Sequence, residues 1–340
     1  MSLLDTLKKL FRPPPLPAPT PLSPAQACPA SEVATPSAPA SNVCAPRHRM
    51  VQCCGPHGLH RMAYTEWGDA DNPRVLICVH GLTRNGRDFD DLARALADHY
   101  RVVCPDVVGR GRSDWLGVKT DYGFPVYVAD MVTLIARLDV EEVHWVGTSM
   151  GGIIGMILAS QAGTAITRMV LNDVGPIITA ISLQRIGQYV GRAPRFADFA
   201  AAEAYIREVG APFGALSAAQ WRHLTEYSVR AMDDAEGGFA MVYDPGLGDA
   251  FRGTPIIADI DLWPVYDGVR CPTLALRGAD SDLLEPATFA AMAVRGPCAR
   301  TVEFAAVGHA PMLMDPAQIA VVRDFLLAGG QAPAVLTSPG

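Results

Sequence analysis

Gly147-Thr148-Ser149-Met150-Gly151 stands between a short apolar run, Val143 to Val146, and a long apolar stretch that begins Gly152-Ile153-Ile154. No other segment constrains the fold as much, because a buried strand must pass directly into a helix with a serine at the corner. A serine at such a corner takes up a strained backbone conformation, and its neighbours approach so closely that small residues are needed two positions before and after it. The helix that starts beside it also aims unpaired backbone N–H groups at the corner. A five-residue pattern with three fixed positions recurs by chance. Here the strand, the turn and the helix are all present, and Ser149 is a candidate nucleophile.

From about Met50 onward, strand and helix alternate, the signature of a mainly parallel, doubly wound α/β sheet covered on both faces. Val75 to Val79 is apolar throughout, as a strand buried on both sides requires. Asp88 to Asp98 reads as an amphipathic helix, Arg101 to Cys104 as a strand, Tyr122 to Leu138 as a helix and Arg168 to Leu171 as a strand. Two further strands, Thr273 to Leu276 and Thr301 to Phe304, are each followed by a helix. Between these halves lie helical stretches without strong strands, at Ser182 to Val190, Ala197 to Val209 and Ser217 to Ala231. The expected organisation is a Pro/Ala-rich tail over 1–48, a core over 49–176 and 255–329, an inserted helical lid over 177–254 and a flexible C-terminus over 330–340. Such a lid would cover the carboxyl ends of the strands, where open parallel sheets place ligands.

The net charge of −7, with no Lys/Arg cluster, argues against a nucleic-acid partner. No apolar stretch reaches the roughly 18 residues that cross a bilayer, so no transmembrane segment is expected. The N-terminus lacks the uninterrupted apolar core of a secretory signal. The eight cysteines form no CxxC pair, and Cys53-Cys54 is adjacent rather than spaced for a metal. A reduced, cytoplasmic compartment with free thiols and no structural metal is the simplest account. In the tail, Leu3, Leu4, Leu7, Leu10 and Phe11 have helical spacing beside Lys8 and Lys9. That end offers a surface for a partner, a lipid or a storage-polymer granule, in which case the ester cleaved would be an oligomeric hydroxyacid.

A serine hydroxyl needs a base within hydrogen-bond reach and a third group to orient that base. His309, in Val307-Gly308-His309-Ala310-Pro311, follows the last strand and so comes to the same sheet edge as Ser149. The other histidines fit less well: His99 ends a surface helix, His144 lies within a strand, His223 is in the lid, and His48, His57 and His60 precede the sheet. The orienting acid is expected after the strand Thr273 to Leu276, in Ala279-Asp280-Ser281-Asp282-Leu283-Leu284. Asp282 is preferred to Asp280 because Leu283 and Leu284 would pack under the sheet edge and hold its carboxylate partly buried. His80-Gly81-Leu82 follows the strand Val75 to Val79, so the backbone N–H groups of Leu82 and Met150 are the candidate oxyanion donors. Trp263 and Tyr243 are the candidate substrate-binding aromatics. The chemistry requires no cofactor and no metal.

With these residues assembled, the chain resembles the α/β-hydrolase superfamily, in its lid-bearing esterase, lactonase and haloperoxidase-like branch, over about Val51 to Leu327. The likeness extends to Asp106-Val107-Val108-Gly109-Arg110-Gly111-Arg112-Ser113 and to Asn172-Asp173-Val174-Gly175-Pro176. The resemblance implies an α/β-hydrolase sheet, a small or medium carboxylic ester as substrate and an acyl-enzyme intermediate. It also favours the Asp of Ser-Asp-Leu-Leu, Asp282, as the acid. A serine rather than a carboxylate at the corner disfavours dehalogenase and epoxide-hydrolase chemistry. Lactonase, carbon–carbon bond hydrolase and cofactor-free haloperoxidase activities use the same three groups. A non-catalytic small-molecule-binding protein on this scaffold is the alternative from another class.

Overall fold

The computed structural model describes residues 45–234, 236–252 and 257–328. The tail and the C-terminus expected to be flexible fall, but for a few residues, outside them. The chain runs β1 (Arg47–Gly55), β2 (Gly58–Trp67), β3 (Val75–Val79), α1 (Asp90–Leu96), β4 (Arg101–Pro105), α2 (Phe124–Leu138), β5 (Val143–Thr148), α3 (Met150–Ala159) and β6 (Ile166–Asn172). An inserted stretch carries β7 (Ile177–Ile178), α4 (Ala180–Tyr189), β8 (Arg195–Phe196), α5 (Phe199–Val209), α6 (Ala218–Ser228), β9 (Val229–Ala231), β10 (Phe239–Met241) and β11 (Ile260–Asp261). The core resumes with β12 (Thr273–Gly278), α7 (Pro286–Met292), β13 (Arg300–Phe304) and α8 (Pro316–Leu327).

Eight strands form one sheet in the order β1-β2-β4-β3-β5-β6-β12-β13. The strands from β4 to β13 are parallel, whereas β2 runs antiparallel to both β4 and β1. In that register Arg47 lies opposite Glu66, and Glu66 opposite Val103. The alternation of side chains across each strand divides the core in two. Leu76, Cys78, Val102, Val146 and Val170 face α1 and α8, while Val75, Ile77, Trp145, Met169 and Leu171 face α2 and α3. Each fully buried aliphatic side chain contributes about 1.5–3 kcal/mol of transfer free energy. Both faces are therefore closed, which explains the unbroken apolar run of β3 and the Leu274–Leu276 run within β12.

Two features depart from the expected plan. The sheet begins at Arg47 with an antiparallel hairpin that carries His48 and His60, which were expected to precede it. The inserted stretch has the three expected helices, and it also has a small sheet in the order β8-β10-β9 and a two-stranded pair, β11 with β7. No helix among the described residues is long and apolar enough to cross a membrane.

Candidate active site

Ser149 sits between β5 and α3 with φ of 52° and ψ of −115°, outside the helical and extended regions. The glycines around it are required by contact distance. A Cβ on Gly151 would stand 2.0 Å from the Val79 carbonyl oxygen, and one on Gly147 would stand 2.4 Å from that of Gly151. The corner is thus wedged between β3 and its own helix, which holds the hydroxyl at the carboxyl edge of the sheet.

His309 reaches Ser149 from the loop after β13. Its Nε2 lies 3.0 Å from Ser149 Oγ, and its Nδ1 lies 2.7 Å from Oδ2 of Asp173. Asp173 directly follows β6, the strand beside β5, and its side chain is fully buried. Its φ of 54° is a left-handed conformation that aspartate tolerates better than most residues, and it turns the carboxylate toward the next strand. There Oδ1 accepts from the Gly278 N–H at 2.9 Å, and Oδ2 accepts from the Ser281 hydroxyl at 2.6 Å. Three donors on one buried carboxylate compensate its loss of water.

The expected acid, Asp282, is not the residue that pairs with His309. Its side chain is about half exposed, and both its oxygens pair with Arg185 of α4, at 2.7 Å to Nε and 2.9 Å to Nη2. The leucines that follow do pack inward, with Leu283 and Leu284 buried, but they leave the carboxylate on the outer side of the turn. Asp280 is exposed as well. The loop after β12 supplies Ser281 in place of a carboxylate. The sequence signal for Asp173 lay in Asn172-Asp173-Val174-Gly175-Pro176, an acidic residue at the carboxyl end of the strand next to that of the serine.

Neighbouring polar residues stiffen the arrangement. Asn172, fully buried, donates to Thr148 Oγ1 at 3.0 Å and to the Pro311 carbonyl at 2.7 Å, tying the end of β5 to the His309 loop. His80 is fully buried, and burial pushes its pKa down to about 3. Its neutral ring donates from Nδ1 to the Gly81 carbonyl at 2.7 Å and accepts the Val107 N–H on Nε2 at 2.9 Å, which fixes the loop carrying Leu82. Met150 opens α3, so its N–H has no partner within the helix. Arg110, in the loop after β4, is fully buried against both candidate donor residues. It donates to the Leu82 carbonyl at 2.8 Å, lies 3.4 Å from Met150 Sδ and stacks 4.9 Å from the centre of the Tyr127 ring.

Two cavities meet at Ser149. The larger, about 270 Å³, has His309, Arg84, Arg185 and Tyr243 in its wall. The smaller, about 100 Å³, is apolar, with Met150, Ile153, Leu247 and Phe251 in its wall. Ser149, Leu82 and Ile186 border both. Tyr243 is therefore at the cavity, whereas Trp263 is in the wall of neither. The Trp263 ring packs edge-on against Tyr266 at 5.5 Å and lies under the Arg295 guanidinium at 4.2 Å, a packing role. Elsewhere, Cys53, His60 and Asp130 have potential ligand atoms within 4.8 Å of one another. His60 Nε2 is bonded to Asp130, and burial together with that carboxylate raises the Cys53 thiol to about 12, so the group is a buried cluster with a protonated thiol, in which His60 Nδ1 has no hydrogen-bond partner.

The family model for the alpha/beta hydrolase fold matches residues 74–316, and the chain belongs to that family. It is 50% identical over 285 residues to a 3-hydroxybutyrate-oligomer hydrolase of Cupriavidus necator, covering 82% of this chain and 97% of that one. It is 25% identical to a pimeloyl-[acyl-carrier protein] methyl ester esterase of Aeromonas salmonicida, over 74% of this chain and 94% of the relative. Among solved structures, an alpha/beta hydrolase from Novosphingobium aromaticivorans superposes with a TM-score of 0.72 at 34% identity, over 83% of this chain and 98% of that one. The chain is thus a hydrolase of the alpha/beta fold.

Proposed function

We propose that the protein is a serine hydrolase that cleaves the ester bonds of short 3-hydroxybutyrate oligomers through an acyl-enzyme. The observation that carries the chemistry is the continuous hydrogen-bonded line Ser149 Oγ, His309 Nε2, His309 Nδ1, Asp173 Oδ2, lying at the junction of two cavities. The substrate is supported by the relative in Cupriavidus necator, which this chain matches along nearly its whole length.

In this reading Ser149 Oγ attacks the ester carbonyl carbon as His309 Nε2 takes the hydroxyl proton. The oxyanion accepts hydrogen bonds from the Leu82 and Met150 N–H groups, each such donor worth about 10²–10³ in rate. As the carbon–oxygen bond breaks, His309 returns the proton to the departing alkoxide, which leaves as a hydroxyl-bearing fragment. Water then attacks the acyl-enzyme with His309 as base, releasing the acid and restoring the Ser149 hydroxyl. Asp173 orients the imidazole and balances its transient charge without taking the proton. The free thiols of the six described cysteines support a reducing, cytoplasmic setting.

Incubation with a fluorophosphonate followed by peptide mapping is expected to label Ser149, and 3-hydroxybutyrate dimer and trimer are expected to be hydrolysed with multiple turnovers. An unlabelled Ser149 would remove the acyl-enzyme. Rapid hydrolysis of p-nitrophenyl butyrate with no action on either oligomer would remove the substrate.

A further inference from the structure

We infer that the enzyme binds its oligomer in one direction, with the carboxylate of the departing fragment held by Arg185. This rests on the 3-hydroxybutyrate-oligomer reading above. The direction follows from where the proton must go. His309 has to protonate the leaving oxygen, and His309 is in the wall of the larger cavity and not of the smaller. The leaving fragment therefore occupies the larger cavity, and the acyl part lies toward Met150 and Ile153 in the apolar one. In a 3-hydroxybutyrate chain the oxygen that departs is the 3-hydroxyl oxygen of the unit on the carboxyl-terminal side. The leaving fragment thus always carries the free carboxylate.

The larger cavity contains two arginines, and they differ in availability. Arg84 is committed, with Nε and Nη2 forked onto Asp88 at 2.8 and 2.6 Å, Nη1 on Ser228 Oγ at 2.8 Å, and both charged side chains largely buried. Arg185 pairs with Asp282, but its side chain is 38% exposed and that of Asp282 54%. An exposed ion pair of this kind contributes little net stability, so exchange of one carboxylate for another on Arg185 costs little. The planar guanidinium suits a carboxylate bound through two oxygens, and Asp282 already occupies it in that way. Asp282 is then the group that holds Arg185 in place until substrate arrives.

Three measurements on the full chain test this, with p-nitrophenyl butyrate as the reference substrate for each protein. The wild-type enzyme is expected to cleave the free-acid dimer with kcat/KM at least tenfold above that of the dimer methyl ester. In Arg185→Gln that preference is expected to fall to within about twofold of parity, mainly through KM for the acid. With longer oligomers, a fixed carboxylate anchor is expected to release a carboxyl-terminal fragment of one length. Equal cleavage of acid and methyl ester by the wild type, or an undiminished preference in Arg185→Gln, would overturn the assignment while leaving the oligomer reading intact. The wild-type comparison needs no variant to fold. If p-nitrophenyl butyrate is hydrolysed but neither dimer is, the oligomer reading fails and this inference fails with it.

Discussion

Ser281 donates its hydroxyl to the same Asp173 oxygen that receives His309 Nδ1, at 2.6 Å beside 2.7 Å. The loop after β12, where a carboxylate was expected, instead sends a hydroxyl to support a carboxylate on the neighbouring strand. Both loops leave the sheet at its carboxyl edge, and the histidine pairs with whichever acid turns inward.

Replacing Asp173 with asparagine is accordingly expected to lower kcat for p-nitrophenyl butyrate by about 10³–10⁴, since the amide would favour the wrong imidazole tautomer. Asp282→Asn is expected to cost a few-fold at most on that substrate. Steady-state kinetics of the two variants decide the matter, and a larger loss in Asp282→Asn would refute the pairing seen here.

Arg110 links the carbonyl of Leu82 to the side chain of Met150, the two proposed oxyanion residues. Arg110→Met displaces those donors without removing them, so kcat is expected to fall by about 10–100-fold, short of or at the lower end of the loss of a whole donor. KM should change little. A circular-dichroism melt checks that the variant is folded, and an unaltered kcat in folded protein would show that the loop is held by other means.

Gly151 admits no Cβ, because the Val79 carbonyl oxygen stands in its place. Gly151→Ala must push α3 away from β3. A loss of about 3 kcal/mol is expected from overpacking, read as a lower urea midpoint. A midpoint within experimental error of the wild type would mean that the corner yields more easily than its contacts imply.

Acid should weaken the fold. His80 binds its proton only near pH 3 in the folded protein but near 6.5 when unfolded, so its contribution is complete above 6.5 and is lost as pH falls toward 3. Between pH 7 and 5 that amounts to about 2 kcal/mol. His144, lowered by burial to about 4, acts in the same sense. Asp106 acts oppositely: burial raises it to about 6, so it favours the folded state as pH falls from 6 toward 3.8 and offsets about 1 kcal/mol. Urea unfolding is expected to give a lower stability at pH 5 than at pH 7, with a steeper decline in Asp106→Asn. Constant stability across that range would contradict the burial of His80.

The alternation of elements was legible because strands buried on both faces must be largely apolar, as β3 is throughout and β5, β6 and β12 are over shorter runs. Ser149 was legible for a steric reason, since only glycines fit where Gly147 and Gly151 lie. His309 followed from topology alone. The acid was not legible, because Asp173 and Asp282 both leave adjacent strands at the same edge, and only the left-handed turn at Asp173 aims one of them inward. The hairpin of β1 and β2 escaped notice because much of β1 is exposed and carries Arg, His and Gln. Trp263, a candidate substrate aromatic by sequence, stands instead against Tyr266 and Arg295.

Arg47 lies on the outermost strand, four interstrand spacings or about 19 Å from β5. Its register through Glu66, Val103 and Ile77 aligns it with Trp145, four residues short of Ser149. A reporter or surface linkage placed at the exposed position of Arg49 on the same edge strand is thereby carried at the far flank of the sheet from the serine.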